Sequence, residues 1–246
     1  MNTSTTPSVT LQRATDRGHA DHGWLNTWHS FSFAGWQHPD HVHFGALRVL
    51  NDDTVAPGGG FGSHPHANME IISLVTEGAL EHKDSMGHEG VVRAGELQVI
   101  SAGTGIRHSE FNPDPSAAVK FFQIWIFPRQ QGTAPRYQQA AIVPGDLQNN
   151  FAPIVRPGPT NNGLWIGQDA WLHLGRLETG RRSTYAIKKA GNGVYALVVR
   201  GSAQLMGQQL NERDAAAMTG ASQVEVIAGK NGAEVLLIEV PMIEHP

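Results

Sequence analysis

The sequence predicts an all-β protein, and three observations support this fold class. The 246 residues include 28 glycines and 14 prolines, a content that favours many turns. Only 16% of the residues are charged, so long solvent-exposed helices should be scarce. Short apolar and β-branched segments recur along the chain with turn residues between them, as at 69–76 and 97–100, which is typical of β-barrels and β-sandwiches.

Composition and charge exclude several classes of function. The formal net charge is −4 and the basic residues are scattered, so direct nucleic-acid binding is not expected. No apolar run approaches the roughly 20 residues of a membrane span, and the start of the chain lacks the features of a signal peptide, so we expect a cytoplasmic protein. The absence of cysteine leaves only histidine and carboxylate side chains as strong metal ligands.

The strand pattern divides into two halves that resemble each other. Strands are expected at 44–51, 69–76, 79–84, 90–93, 97–100 and 118–127, and again at 170–177, 184–187, 193–201, 202–206 and 235–240. Asp52 and Asp53 are expected to form a turn, and the nearly continuous apolar run 118–127 a strand buried on both faces.

An internal repeat places 74–78 over 198–201 and 93–96 near 211–214, which predicts two copies of one fold. We expect an N-terminal unit at 1–138, a linker or edge segment at 139–163 and a C-terminal unit at 164–246. The C-terminal unit has no histidines at the positions that correspond to those discussed next, so it should carry no metal ligands.

Two pairs of polar residues in the N-terminal half indicate a metal site. His64 and His66 are two residues apart, as are His108 and Glu110. On a β-strand, residues i and i+2 project from the same face, so the two pairs would converge if they lay on neighbouring strands. Three imidazoles and a carboxylate are difficult to bury together without a charged group between them. The spacing therefore predicts a divalent metal inside a β-barrel.

The remaining histidines fit the metal pattern less well. Six of the thirteen lie before residue 44: His19, His22, His29, His38, His41 and His43. Single histidines among tryptophan and glycine usually stack or form hydrogen bonds. His41 and His43 repeat the i, i+2 spacing but lack a third ligand nearby, while His82 and His88 are expected to face solvent.

These motifs resemble two nested families. The first motif of the cupin superfamily is matched by Gly58, His64, His66, Glu70 and Gly78. The second is matched by Gly105, His108 and Asn112, although Gly103 stands where that pattern has proline. More narrowly, His64-Pro-His66 with segments 77–86 and 101–112 resembles the pirin family, especially its bacterial branch with quercetinase activity.

The resemblance implies a bicupin, with two tandem double-stranded β-helix (jelly-roll-like) barrels. It implies one iron in the N-terminal barrel, bound by His64, His66, His108 and Glu110. These ligand types also suit Zn, Mn, Ni, Cu or Co, so ligand chemistry alone does not select the metal. The branch with quercetinase activity implies a quercetin 2,3-dioxygenase-like enzyme that opens a flavonol ring with O2 and releases carbon monoxide.

Two questions stay open at the level of sequence. The general base could be Glu110 or Glu70, since Glu70 would share a face with His66 on an unbroken strand and could form a hydrogen bond with a ligand imidazole. The activity could also be absent: an iron-dependent, redox-sensing protein could instead bind a transcription factor or metabolic enzyme, as eukaryotic pirins are regarded. A purely structural metal would predict a coordination shell completed by protein.

Overall fold

A computed structural model describes residues 7–159 and 163–243 of the protein, which form twenty strands. The strands up to residue 141 are β1 Ser8–Gln12, β2 Gly18–Asp21, β3 Leu25–His29, β4 Leu47–Val55, β5 Gly60–His66, β6 Glu70–Glu77, β7 Ala79–Asp84, β8 Glu89–Arg93, β9 Glu96–Ser101, β10 Ile106–Phe111, β11 Val119–Ile126 and β12 Arg136–Ala141. The later strands are β13 Phe151–Pro157, β14 Leu164–Ile166, β15 Trp171–Leu177, β16 Arg182–Ala186, β17 Asn192–Leu205, β18 Gln208–Asn211, β19 Ala215–Thr219 and β20 Gln223–Pro241. A 3₁₀ turn, Ala14–Asp16, and a one-turn helix α1, Pro144–Leu147, complete the regular elements, and no helix in these ranges is long and apolar enough to cross a membrane.

Two sheets form the first barrel. A four-stranded sheet has the order β5-β10-β7-β8, and a seven-stranded sheet has the order β12-β9-β6-β11-β4-β3-β2. Side chains from both sheets meet in one buried apolar cluster: Leu25, Val55, Val75, Leu80, Val92, Val119 and Phe121. The predicted β-barrel is thus present, and its polar site lies farther along the same interior.

Two central strands of the seven-stranded sheet, β6 and β11, are buried on both faces. In β11, Phe121 belongs to the barrel interior, whereas the adjacent Phe122 packs in a second core outside the barrel. In β6, Ile71 and Ile72 are divided in the same way, because successive side chains point to opposite faces of a strand. This confirms the two-sided burial predicted for 118–127.

A nine-stranded sheet forms the second cupin unit, in the order β1-β19-β17-β20-β15-β13-β14, with β16 beside β20 and β18 beside β17. Its interior is apolar and includes Tyr185, Val198 and Leu237. The largest core of the molecule lies between the two units, where residues such as Phe122 of the first unit join residues such as Leu197 of the second. The predicted bicupin architecture is confirmed.

Two strand pairings bear on the expected units 1–138, 139–163 and 164–246, whose boundaries stay a prediction. Strand β1 pairs with β19, with Leu11 opposite Ala216, so the start of the chain belongs to the second sheet. The segment 139–163 is more than a linker, because it contains the end of β12, the helix α1 and the whole of β13. Strand β13 was not predicted because it contains prolines. Pro153 lies where the β13–β15 register shifts, a position at which a sheet tolerates proline.

Candidate metal centre

The pairing of β5 with β10 brings the predicted histidines together. His108 lies opposite His64, and Ile106 lies opposite His66. The ring centroid of His64 is 4.8 Å from that of His66 and 4.5 Å from that of His108, and the centroids of His66 and His108 are 5.0 Å apart. One nitrogen from each ring lies within 4.8 Å of the other two, so the predicted convergence of three imidazoles is present.

A glycine allows the two strands to approach at this point. A Cβ atom on Gly60 would lie 2.4 Å from the main-chain oxygen of Glu110, a separation that real Cβ atoms do not adopt. The register then shifts between His108 and Glu110, where β5 contains one extra residue. Such a β-bulge increases the local twist of the strand, and here it places Phe61 opposite Glu110.

Two of the three imidazoles, those of His66 and His108, are held in the neutral form, and the ring of His64 has a free nitrogen. Burial, then repulsion from His64 and His66, lowers the pKa of His108 to about 3. Burial, then repulsion from His64, lowers the pKa of His66 to about 4. The Nδ1 of His64 lies 2.8 Å from the carbonyl oxygen of Gly62; because a carbonyl only accepts, Nδ1 carries the proton and Nε2 is free.

His108 also provides a direct test of fit for a metal. Its side chain is only 2% exposed, yet neither ring nitrogen has a hydrogen-bond partner. Buried polar atoms are rarely left unpaired unless an ion or water completes them. Neutral imidazoles with free lone pairs are good ligands for divalent first-row metals, so the cluster fits one divalent ion.

Glu110 lies deeper than the three imidazoles. Its Oε1 accepts hydrogen bonds from Ser73 (2.9 Å) and Gln98 (2.5 Å), and its Oε2 accepts one from Gln123 (2.9 Å). Burial raises its pKa to about 7 even though these hydrogen bonds lower it. Its carboxylate is within 4.8 Å of a nitrogen of His108 but does not join the cluster formed with His64 and His66. Glu110 as a fourth ligand therefore stays a prediction.

Glu70 does not face the site, contrary to the expected hydrogen bond with a ligand imidazole. Strand β5 ends at His66 and β6 begins at Glu70, and Asn68 between them has a φ of 50°, so the strand is not continuous. The Glu70 carboxylate instead accepts hydrogen bonds from the Ser101 hydroxyl (2.5 Å) and the Gly167 backbone N–H (3.0 Å). Glu70 thus connects the first barrel to the second unit.

A cavity of about 660 Å³ opens beside the three imidazoles. Part of the lining consists of aromatic and imidazole side chains from β2, β3 and the loops that follow each of these strands: His19, His22, Trp24, His29, Phe33 and Trp36. The lining also includes Phe61, Ile71 and Trp125. Pockets of this size with largely apolar walls commonly bind small organic molecules.

The early histidines mainly stack and form hydrogen bonds, as expected. The ring of His19 stacks on Trp28 with centroids 4.2 Å apart, and His38 lies 4.5 Å from His41. The Nδ1 of His43 lies 2.9 Å from the carbonyl oxygen of Gly45. The metal-compatible groups found in the described ranges include none of these residues.

The expectation that His82 faces solvent was wrong, although His88 is exposed as expected. His82 is fully buried, its Nε2 lies 3.2 Å from the Asp84 carboxylate, and its ring stacks on Tyr137 at 4.4 Å. Strand β7 pairs with β10 so that His82 lies opposite Glu110. His82 and Asp84 have the same i, i+2 spacing as His64 and His66, and this spacing was the signal in the sequence that could have identified His82.

Asp53 was also placed wrongly by the sequence, because β4 continues through Asp52 and Asp53 without a turn. Asp53 lines the cavity, is only 3% exposed, and its Oδ1 has no hydrogen-bond partner. Burial raises its pKa to about 7, while a hydrogen bond from Thr27 lowers it. The cavity therefore contains two carboxyl groups, Asp53 and Glu110, that titrate near neutral pH.

The second unit has a different interior. His173 is buried there against Tyr185, with ring centroids 4.7 Å apart. Both metal-compatible groups found in residues 7–159 and 163–243 lie in the first barrel, and His245 lies outside those ranges. A larger cleft of about 930 Å³ lies between the units, lined by residues such as Arg176 and Arg200.

Comparison with known proteins places this architecture in a family. The sequence model named Pirin matches residues 10–126, and that of the quercetinase C-terminal cupin domain matches residues 154–240. The chain is 40% identical to the quercetin 2,3-dioxygenase of Escherichia coli strain K12 over 235 residues, which cover 96% of this chain and 100% of that protein. It is 40% identical to a pirin-like protein of Caulobacter vibrioides over 223 residues, covering 90% of this chain and 95% of that one.

A solved structure that contains a divalent metal agrees with the fold. The bacterial pirin YhhW of Escherichia coli, in complex with nickel(II), is 39% identical and superposes with a TM-score of 0.90. The match covers 96% of this chain and 100% of YhhW. Because sequence identity of about 40% extends along both barrels, the chain belongs to the pirin family.

Proposed function

We propose that the protein is an Fe(II)-dependent dioxygenase that opens the heterocyclic ring of flavonols such as quercetin with O2 and releases carbon monoxide. The observation that carries this proposal is the position of the three imidazoles at the wall of the 660 Å³ cavity. A structural metal needs no such opening, whereas a catalytic metal needs space for a substrate. The relatives named quercetin 2,3-dioxygenase and putative quercetin 2,3-dioxygenase support the proposed dioxygenase activity.

The cavity walls suit a flat aromatic molecule. Trp24, Phe33, Trp36 and Phe61 provide rings against which a planar substrate can stack, and Ile71 adds an aliphatic surface. Asp53 and Gln123 provide the polar groups that would orient its hydroxyls. Such a wall also excludes water from the reacting ring, which protects a carbanion-like flavonolate from protonation.

In this proposal His64, His66 and His108 bind the ion and Glu110 handles the proton. When bound, a redox-competent divalent ion supplies Lewis acidity toward the enolic oxygen and electron-transfer chemistry toward O2. Glu110 lines the cavity and has a pKa near 7, so its carboxylate can accept the proton of the enolic hydroxyl. Overall, two ring C–C bonds and the O–O bond break, and both atoms of O2 remain in the depside product.

The proposal is tested by incubating the iron-loaded protein with quercetin in air. We expect loss of the flavonol absorption band, uptake of one O2 per flavonol and formation of an equal amount of carbon monoxide. The His64→Ala/His66→Ala double variant serves as the control, because it removes two imidazoles without altering the aromatic wall. Loss of the band at the same rate with both proteins would refute the proposal.

The competing function is a redox-sensing protein that binds a macromolecular partner. That function requires no space beside the ion for an organic molecule, so the aromatic cavity favours the enzyme. The two functions separate experimentally when other flavonoids and simple catechols are assayed in parallel. Turnover of none of them by fully iron-loaded protein would favour the binding protein.

A further inference from the structure

His82 and Asp84, an i, i+2 pair on β7, lie beside the metal centre. On the four-stranded sheet, β10 lies between β5 and β7, so His108 has His64 on one side and Asp84 on the other. His82 lies one row away, opposite Glu110. A ring nitrogen of His82 is within 4.8 Å of a ligand atom of both His108 and Glu110, and the ring centroids of His82 and His108 are 5.6 Å apart.

Asp84 determines which nitrogen of His82 carries the proton. The carboxylate lies 3.2 Å from Nε2 of His82. Burial would raise the pKa of Asp84, but hydrogen bonds from the His88 backbone, His82 and Met86 hold it below its usual value. Because an ionised carboxylate only accepts, Nε2 of His82 is the N–H, and Nδ1 carries the lone pair.

That lone pair has no partner. Nδ1 of His82 is completely buried and receives no hydrogen bond. The contact of Nε2 with Asp84 and the stacking on Tyr137, with an interplanar angle of 14°, hold the ring in this orientation. A buried acceptor held in place without a donor is a group prepared for a donor that arrives from elsewhere.

His108 carries a donor, a ring N–H, that would match the free acceptor of His82. A neutral imidazole has one lone pair and one N–H, and once the lone pair binds an ion, the N–H is left in the buried interior. Glu110 is the other acceptor nearby, but its two oxygens already accept three hydrogen bonds, from Ser73, Gln98 and Gln123. Nδ1 of His82 accepts none.

We propose that His82, oriented by Asp84, is a positioning residue of the metal centre: its Nδ1 accepts the N–H of His108, directly or through one water. The chain Asp84–His82–His108 then fixes the tautomer of His108 and directs its lone pair toward His64 and His66. The gap between the nitrogens closes with a small side-chain shift or one bridging water. The inference rests on the proposed metal centre but does not depend on the identity of the substrate.

Two variants separate the acceptor role from the packing role. His82→Asn places an amide oxygen near the position of Nδ1 and keeps the acceptor, whereas His82→Gln places its amide near Nε2 and keeps only the contact with Asp84. His88→Ala is the matched control, because His88 also contacts the Asp84 carboxylate (3.0 Å) but is exposed. The affinity for Co(II) is measured by competition with a chelator, together with the visible absorption of the bound Co(II).

We expect His82→Gln to bind Co(II) about 10- to 100-fold more weakly, with a changed visible spectrum, because ligand orientation is lost. His82→Asn should bind within about threefold of the natural protein, and His88→Ala should be unchanged. Equal affinity and spectrum for His82→Gln and the natural protein would overturn the inference. Absence of Co(II) binding by the natural protein would instead refute the metal centre, and a bound metal without flavonol turnover would refute only the proposed reaction.

A measurement on the natural protein covers the case in which His82→Gln does not fold. Nitrogen-15 NMR of the metal-free protein reports the protonated nitrogen of each histidine. We expect His82 to be neutral at pH 7, protonated on Nε2 and unprotonated on Nδ1. A proton on Nδ1 of His82 would contradict the inference, because that nitrogen could then not accept from His108.

Discussion

Glu70 and Glu110 have the same side chain, and both are buried, but their hydrogen-bond partners give them different roles. Glu110 faces the cavity and accepts from Ser73, Gln98 and Gln123. Glu70 is turned toward the second unit and accepts from Ser101 and the backbone of Gly167. The residue type and the spacing identified both as candidates, and the strand break before Glu70 turns its carboxylate away from the cavity.

Replacement of Glu70 by glutamine tests this assignment. We expect Glu70→Gln to leave the affinity for a divalent metal within about twofold and to lower the free energy of unfolding by about 1–2 kcal/mol, since it weakens charge-assisted hydrogen bonds. Chelator competition and urea denaturation measure the two quantities. A large loss of metal affinity with unchanged stability would contradict this assignment and would show that Glu70 acts at the metal site.

Asp53 should make the stability of the metal-free protein depend on pH. Its pKa is raised to about 7 by burial, well above the value of about 4 for an unfolded chain. The neutral carboxyl is tolerated below pH 4, and the contribution to stability is lost as the pH rises from about 4 through 7, by at most about 1.4 kcal/mol per pH unit.

Asp53→Asn removes this titration while keeping the shape of the side chain. We expect the stability difference between the variant and the natural protein, measured by urea denaturation, to grow in favour of the variant between pH 5 and pH 8. Other titrating groups cancel in this comparison. A difference that is constant over this range would mean that Asp53 is ionised throughout.

At the scale of elements, three strands and one bulge build the site. The i, i+2 rule predicted the convergence of His64, His66 and His108 because it depends only on local strand geometry. His82 was missed although it forms an i, i+2 pair with Asp84, because such a pair also fits an exposed strand and the pairing of β7 with β10 has no local pattern. The bulge between His108 and Glu110 was also invisible, since it depends on pairing between distant segments.

Two glycines of β5 provide a matched test of how this strand approaches β10. A Cβ on Gly60 would collide with the backbone oxygen of Glu110, whereas a Cβ on Gly62 would meet no atom within 4 Å. We expect Gly60→Ala to lower stability by about 1–3 kcal/mol and to weaken metal binding, and Gly62→Ala to change both little. Equal effects in thermal unfolding and metal titration would show that the close approach at Gly60 is unimportant.

At the scale of the molecule, the two barrels share their largest core. Leu74, Phe122 and Ile124 of the first unit are buried against Leu172 and Leu236 of the second. The internal repeat and the all-β class could be predicted because the strand pattern occurs twice in the sequence. The pairing of β1 with β19 could not be predicted, because it joins segments near opposite ends of the chain.

The first unit should therefore not be stable when separated from the second. We expect a chain that ends after residue 142 to expose the apolar face of the seven-stranded sheet, to bind the dye ANS and to aggregate or unfold without cooperativity. The full-length protein under the same conditions is the control. A soluble monomer of the fragment with cooperative unfolding would contradict the shared core.

The central claim is that one divalent ion binds to His64, His66 and His108 beside the cavity. Anomalous diffraction from crystals loaded with a single equivalent of Fe(II) or Ni(II) tests it most directly. The account predicts one strong peak at about 2.0–2.3 Å from one nitrogen of each of the three imidazoles, with the cavity open on one side of the ion. A peak among the early histidines such as His19 and His22, or between the units, would contradict it.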